Sequence, residues 1–181
     1  MCCEHESRMT TRIDYAHEQV FARVTPELAL EAERFWERCG VIPNADERRR
    51  RASELAAIVR DHNGRLAGVG TAYRDKLQTE DGAIDVFIYR TFIDPAQRKP
   101  LLFLSLFFTA CAALEKAADN GQPSHVAFVT ENQKFMRPGV VSKTFESYGA
   151  RLVGQDPRGL QIWAYPLFWD GPHRRTVPGA P

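Results

Sequence analysis

Between Lys99 and Glu115 the chain runs from Pro100 to Leu114 as PLLFLSLFFTACAAL, with no charged residue. A helix that crosses a bilayer core needs roughly 20 such residues. This run is shorter, so it predicts a buried helix of about 100–119 and no membrane span. Apolar side chains mark more than one side of it: Leu101, Leu104, Phe108 and Cys111 on one, Phe103, Phe107, Ala110 and Leu114 on another. Such a helix packs against two layers or against a second subunit. It stands between two strand-like segments, Ile84–Ile93, which ends at Asp94-Pro95, and Ser124–Thr130. A strand, a crossover helix and a second strand require parallel pairing.

Around that unit the pattern is of short antiparallel strands and capped helices. Glu18–Val24 reads as a short strand, and Thr25-Pro26 opens a helix that carries Leu28, Phe35 and Trp36 and stops near Gly40. A very polar helix follows over about 46–52. Leu55–Arg60 and Arg65–Tyr73 flank Asp61-His62-Asn63-Gly64, a strong hairpin signal. After Thr130, a helix opened by Pro138 and closed by Gly149 leads to two last strands, Arg151–Gly154 and Leu160–Leu167. The folded body is therefore expected over 17–168, with residues 1–16 a flexible segment and 169–181 a proline-containing tail.

Composition excludes some functions. Lys and Arg number 24 against 23 Asp and Glu, a net charge of +1, so no bulk field favours wrapping nucleic acid. Arg48 to Arg51 form a basic cluster beside Asp46, Glu47 and Glu54, which reads as a solvated helix face, the alternative being an anionic partner. The four cysteines show no zinc spacing and are too few for a disulfide scaffold, so a reducing, cytoplasmic setting is expected. The histidines suggest no metal site. Ser105, Thr109 and Cys111 lie inside the apolar helix, where back-bonding to helix carbonyls is the ordinary role. Gly68-x-Gly70 lies within a strand and reads as a bulge or a close backbone approach.

The element order, the strand ending in Ile93-Asp94-Pro95, the Arg98-Lys99 pair before a helix and the Phe145-Glu146-Ser147-Tyr148-Gly149-Ala150 ending together resemble the GNAT-type N-acetyltransferases over about residues 18–167. The resemblance implies an α/β (α+β) fold: a central mixed, mostly antiparallel sheet with one parallel strand-helix-strand unit and helices on both faces. It also implies acetyl-CoA or another acyl-CoA as co-substrate, no metal, and transfer of the acyl group to an amine of a small molecule or peptide. A homodimer through the apolar helix is a further expectation.

Within that resemblance the cofactor would meet Thr91, Phe92 and Ile93 of the central strand, Arg98, Lys99, Leu101, Leu102 and Phe103 at the helix start, and Asn132. The family's glycine positions fall on Leu101 and Phe103, and its catalytic tyrosine falls on Phe145, leaving Tyr148 three residues on as the candidate acid. For the base, Asp85 with Tyr89 is the sharpest pair, since Asp85, Tyr89, Thr91 and Ile93 alternate onto one strand face. The plainer roles are a solvated Asp85, a packed Tyr148 and a turn-capping Asp94. These departures leave a second function open: a GNAT-like module without acyl transfer that binds a ligand or assembles as a dimer.

Overall fold

The computed structural model describes residues 15–79, 82–129 and 141–168. Asn132 and Pro138 lie outside them, as do the two end segments beyond Tyr15 and Phe168.

The chain order is β1 (Ala16–Gln19), α1 (Pro26–Cys39), α2 (Ala45–Ser53), β2 (Leu55–Arg60), β3 (Leu66–Thr79), β4 (Gly82–Ile93), α3 (Pro100–Ala117), β5 (His125–Val129), α4 (Val141–Ser147), β6 (Arg151–Gln155) and β7 (Gln161–Pro166). The strands form one sheet in the order β1-β2-β3-β4-β5-β7-β6. All neighbours are antiparallel except β4 and β5, which run parallel across the α3 crossover. The mixed sheet with helices on both faces is the architecture expected from the sequence.

Local chemistry accounts for the helix ends. Thr25 Oγ1 accepts from the Leu28 amide, Pro26 occupies the first turn, and Gly40 closes α1 at φ 66°, a left-handed cap suited to glycine. Asn44 caps α2 by accepting from the Glu47 amide at 3.0 Å. The arginine cluster on α2 is paired within the chain: Arg48 reaches Glu37, Arg49 reaches Asp46, Arg50 reaches Glu47 and Glu54, and Arg51 reaches Glu47. This is the solvated, salt-bridged face.

Each face of the sheet has its own core. On one, α1 and α2 bury Phe35, Trp36 and Ala52 against Leu55, Ile58 and Val69. On the other, α3 and α4 bury Leu106, Phe107, Leu114 and Phe145 against Val59, Phe87, Tyr89, Phe128 and Trp163. Other sides of α3 are also engaged: Ser105 meets His17 of β1, and Phe108 meets Tyr148. Of its large apolar side chains only Leu101 is exposed. The apolar perimeter of α3 is thus used inside the chain.

Two boundaries differ from expectation. β1 starts earlier and ends at Gln19, because Val20 and Phe21 both donate to the Ala56 carbonyl and Ala22 turns to φ 58°. Val20 enters the α1 core while Phe21 packs on the α3 core, so an apolar pattern that imitates a strand serves a turn that fills both sides. β3 extends to Thr79, paired residue by residue with β4. Its outer half is a two-stranded ribbon wet on both faces, which erases the alternation that would announce a strand.

Candidate active site

Among the described residues, pairing between the central strand and its parallel neighbour stops partway along β4. β4 and β5 pair from Val86 with His125 to Tyr89 with Phe128, and the next step, Arg90 beside Val129, is unpaired although both residues remain in their strands. From Arg90 to Ile93, β4 keeps β3 on one side and faces a fork on the other. The Asp94 amide donates to Ala67 of the β3 side at 2.9 Å. Strand alternation then turns the Phe92 and Arg90 amides toward β3 and those of Thr91 and Ile93 toward the fork. Of the three backbone donors expected, Thr91 and Ile93 are aimed there and Phe92 is not. The Phe92 ring stands on the opposite core, 5.6 Å from Phe35.

The fork opens at the start of α3. Asp94 accepts from the Ala96 amide and closes a short turn over Pro95–Gln97, the capping role open to it from the sequence. Arg98 Nε lies 3.4 Å from the Ile93 carbonyl. Lys99 occupies the cap position without a side-chain bond to the first turn, and its ammonium lies 5.4 Å from the centre of the Tyr15 ring. The Tyr15 hydroxyl donates to Gln97 Oε1 at 3.0 Å, so the residue just before β1 braces this loop. An uncapped helix start beside two exposed cations is suited to an anion.

The side chains at the helix start diverge. Leu101 is 62% exposed, Leu102 is in the core with its amide on the Lys99 carbonyl, and Phe103 stacks with Phe107 and meets Phe145. Bulk at 101 projects outward, and bulk at 103 turns inward.

The structure does not bring the acid and base candidates together. Asp85 is exposed on the outer ribbon opposite Lys76, four residues from Tyr89, or roughly 13 Å along an extended strand. It borders a shallow depression formed with Arg74, Asp75, Lys76, Gln122 and Pro123. Tyr89 is 3% exposed, and burial raises its phenol far above the usual range, so it stays protonated. The Asp85–Tyr89 pair is therefore corrected: the shared face is real, but its two ends lie in water and in core. Phe145 is buried among Phe103, Phe128 and Trp163, and Tyr148 rests half-buried with its ring 5.4 Å from Phe108. Among the described residues no cluster of three or more His, Cys, Asp or Glu gathers as for a metal, and no helix is long and apolar enough to cross a membrane.

Two features escaped the sequence pattern, and a third was legible only in part. His17 Nε2 lies 2.8 Å from Ser105 Oγ, joining β1 to α3 across 88 positions. Gly68 and Gly70 leave room for their neighbours: a Cβ on Gly70 would stand 2.6 Å from the Tyr89 hydroxyl, so the close approach inferred for this pair is made by a side chain. Last, several buried polar atoms have no hydrogen-bond partner among the described residues, namely Tyr89 Oη, Trp163 Nε1, Arg90 Nη1 and Glu54 Oε2. Only the glycines carried a sequence signal.

No family model matches the sequence, and no curated protein matches it. Solved structures do match. An acetyltransferase of the GNAT family from Streptococcus pneumoniae superposes with a TM-score of 0.57 at 14% identity, over 84% of this chain and 99% of that one. A GNAT-family protein from Desulfovibrio desulfuricans gives 0.56 at 15% identity, over 85% and 99%. A GNAT-family N-acetyltransferase from Escherichia coli, solved in complex with CoA, gives 0.53 at 12% identity, over 90% and 86%. With its forked central strand and these neighbours, the chain has the fold of the GNAT N-acetyltransferases, in a form divergent in sequence.

Proposed function

We propose that this protein moves an acetyl or other acyl group from acyl-CoA to an amine of a small molecule or peptide. The observation that carries the reading is the fork, where β4 turns the Thr91 and Ile93 amides toward an edge with no partner strand among the described residues, a few positions before the start of α3. The Arg98-Lys99 pair and the Leu101 amide would hold the CoA phosphates, since Pro100 has no N–H and the Leu102 amide donates to the Lys99 carbonyl. The Escherichia coli neighbour, solved in complex with CoA, supports CoA binding at the level of the fold. Near-neutral overall charge leaves this local pair as the source of attraction.

In this reading the neutral amine nitrogen attacks the thioester carbonyl, the C–N bond forms, the C–S bond breaks, and the leaving thiolate takes up the proton that the nitrogen sheds. The Thr91 amide polarises the carbonyl oxygen, a type of donor worth about 3 kcal/mol in the transition state, while the Ile93 amide, roughly 6.6 Å further along the extended strand, is beyond reach of the same oxygen. With Asp85 on the outer ribbon and Tyr89 in the core, catalysis rests on approximation and carbonyl polarisation.

Thermal unfolding with acetyl-CoA tests the proposal. At a hundredfold excess over Kd the ligand stabilises by about 2.7 kcal/mol, and Arg98→Ala with Lys99→Ala should remove most of that shift. No shift with acetyl-CoA or any longer acyl-CoA ends it. The buried Phe145 and the bulky Leu101 favour a second reading, a GNAT-like module that binds or assembles without transfer. Release of free thiol from acyl-CoA in the presence of an amine panel excludes that alternative.

A further inference from the structure

The sheet face opposite α3 carries an unpaired cation beside the fork. Alternation places Arg90 on the same side as Phe92, whose ring lies on Phe35 of α1. Arg90 is also the first β4 residue past the last β4–β5 pair, so its side chain rises next to the Thr91 amide that the proposed reaction uses. Its guanidinium lies 4.8 Å from the centre of the Tyr73 ring, and Nη2 donates to the Tyr73 hydroxyl at 3.0 Å. Nη1 is buried and has no hydrogen-bond partner, and no carboxylate forms an ion pair with Arg90 among the described residues.

That arrangement is unusual for an arginine that serves only structure. A buried guanidinium N–H without a partner forfeits solvation and receives nothing in return, unlike Arg60, whose fork is filled by Glu18 and Glu31. Tyr73 accepts from Nη2, which leaves its own hydroxyl hydrogen to donate. Nη1–H and the Tyr73 hydroxyl are then two donors with one acceptor missing, and a carboxylate oxygen supplies that acceptor with opposite charge.

Resting on the acyltransferase reading, we infer that the amine acceptor is a small amino acid-like molecule whose carboxylate binds Arg90 and Tyr73 while its amine reaches the fork at Thr91. The position of Arg90 one residue from Thr91 limits the acceptor to a short spacing between carboxylate and amine. Simple amines, and amino acids whose carboxylate is capped, leave Nη1 unpaired and bind weakly.

The test uses the full chain, the proteinogenic amino acids, β-alanine and 4-aminobutyrate, and the carboxamide of each. Thermal shift is read with and without acetyl-CoA, and thiol release is read with acetyl-CoA. At least one free acid is expected to shift the wild-type protein and to be acylated with a KM roughly ten- to hundredfold below that of its carboxamide. Arg90→Gln should abolish that preference and Arg90→Lys should restore part of it. Tyr73→Phe should weaken it less than Arg90→Gln does. A retained acetyl-CoA shift in Arg90→Gln shows that the variant is folded. Carboxamides or simple amines acylated as well as the acids, or an acid preference that survives Arg90→Gln, overturns the inference while leaving acyl transfer intact. Absence of any acetyl-CoA shift, with free acids still stabilising wild type but not Arg90→Gln, removes the acyltransferase reading and retains the carboxylate site. Absence of both removes both.

Discussion

The two faces of β4 meet different surroundings. Toward α3, Phe87, Tyr89 and Ile93 are buried in an aromatic core that spans the sheet from β2 to β7. On the other face, Val86 is buried, but Ile88, Arg90 and Phe92 are only partly covered, and a charge stands among them. One face therefore holds the strand in place and the other is left more open, with the Arg90 charge on it. A fork needs this asymmetry, because backbone donors can be held away from a neighbouring strand only if something rigid anchors the strand they belong to.

The most severe way to break the contrast is at Phe107. Its ring lies within 5.2–6.3 Å of Tyr89, Phe103, Phe108, Phe128 and Tyr165, and the residue is 4% exposed. Phe107→Ala is expected to cost about 3–5 kcal/mol in urea unfolding. Ile88→Ala, on the open face of the same strand region, is expected to cost about 1 kcal/mol. Similar losses at both sites would mean that the open face is covered in solution.

A smaller effect separates packing from polarity inside the α3 face. Gly70→Ala forces a Cβ to within 2.6 Å of the Tyr89 hydroxyl and 2.8 Å of its ring, and should destabilise by about 1–3 kcal/mol. Tyr89→Phe removes a buried hydroxyl that has no partner, so it should be neutral or stabilising by about 1 kcal/mol. Combining the two should cost less than Gly70→Ala alone, since the closest clashing atom is gone. A large loss from Tyr89→Phe would show that the hydroxyl has a partner.

These residues also show what the sequence made legible. The apolar helix, its flanking strands and the Asn63-Gly64 turn are written in local pattern, and the parallel pairing of β4 with β5 and the β2–β3 hairpin follow from them. The outer β3–β4 ribbon was hidden because a strand wet on both faces has no period, and the turn at Ala22 was hidden because two cores share Val20 and Phe21. At the site, alternation put Asp85 and Tyr89 on one face correctly, yet it carries no information on burial along that face. Arg90 stayed silent for a related reason: its meaning lies in a bond it lacks, which only the packed structure displays.

Acid separates the two faces by where each loses stability. His17 lies on the α3 side against Ser105, and burial holds its imidazole below the ordinary 6.5, opposed in part by a hydrogen bond to the Tyr15 backbone. The unfolded chain therefore takes the proton first, so stability falls as pH drops through about 6.5 and toward the lower folded value. His125 acts in the same direction, with burial first and Arg151 second. On the α2 side, hydrogen bonds from Arg50 and Arg51 hold Glu47 at about 2 against 4.5 unfolded, so its contribution is complete above 4.5 and is lost between 4.5 and 2. A plot of Tm against pH should thus show two limbs. His17→Asn should flatten part of the upper one and Glu47→Gln the lower one. Salt distinguishes their causes: the Glu47 limb depends on exposed ion pairs and shrinks in 1 M NaCl, whereas the His17 limb depends on desolvation and persists. An upper limb unchanged in His17→Asn would mean that the β1–α3 contact opens before it titrates.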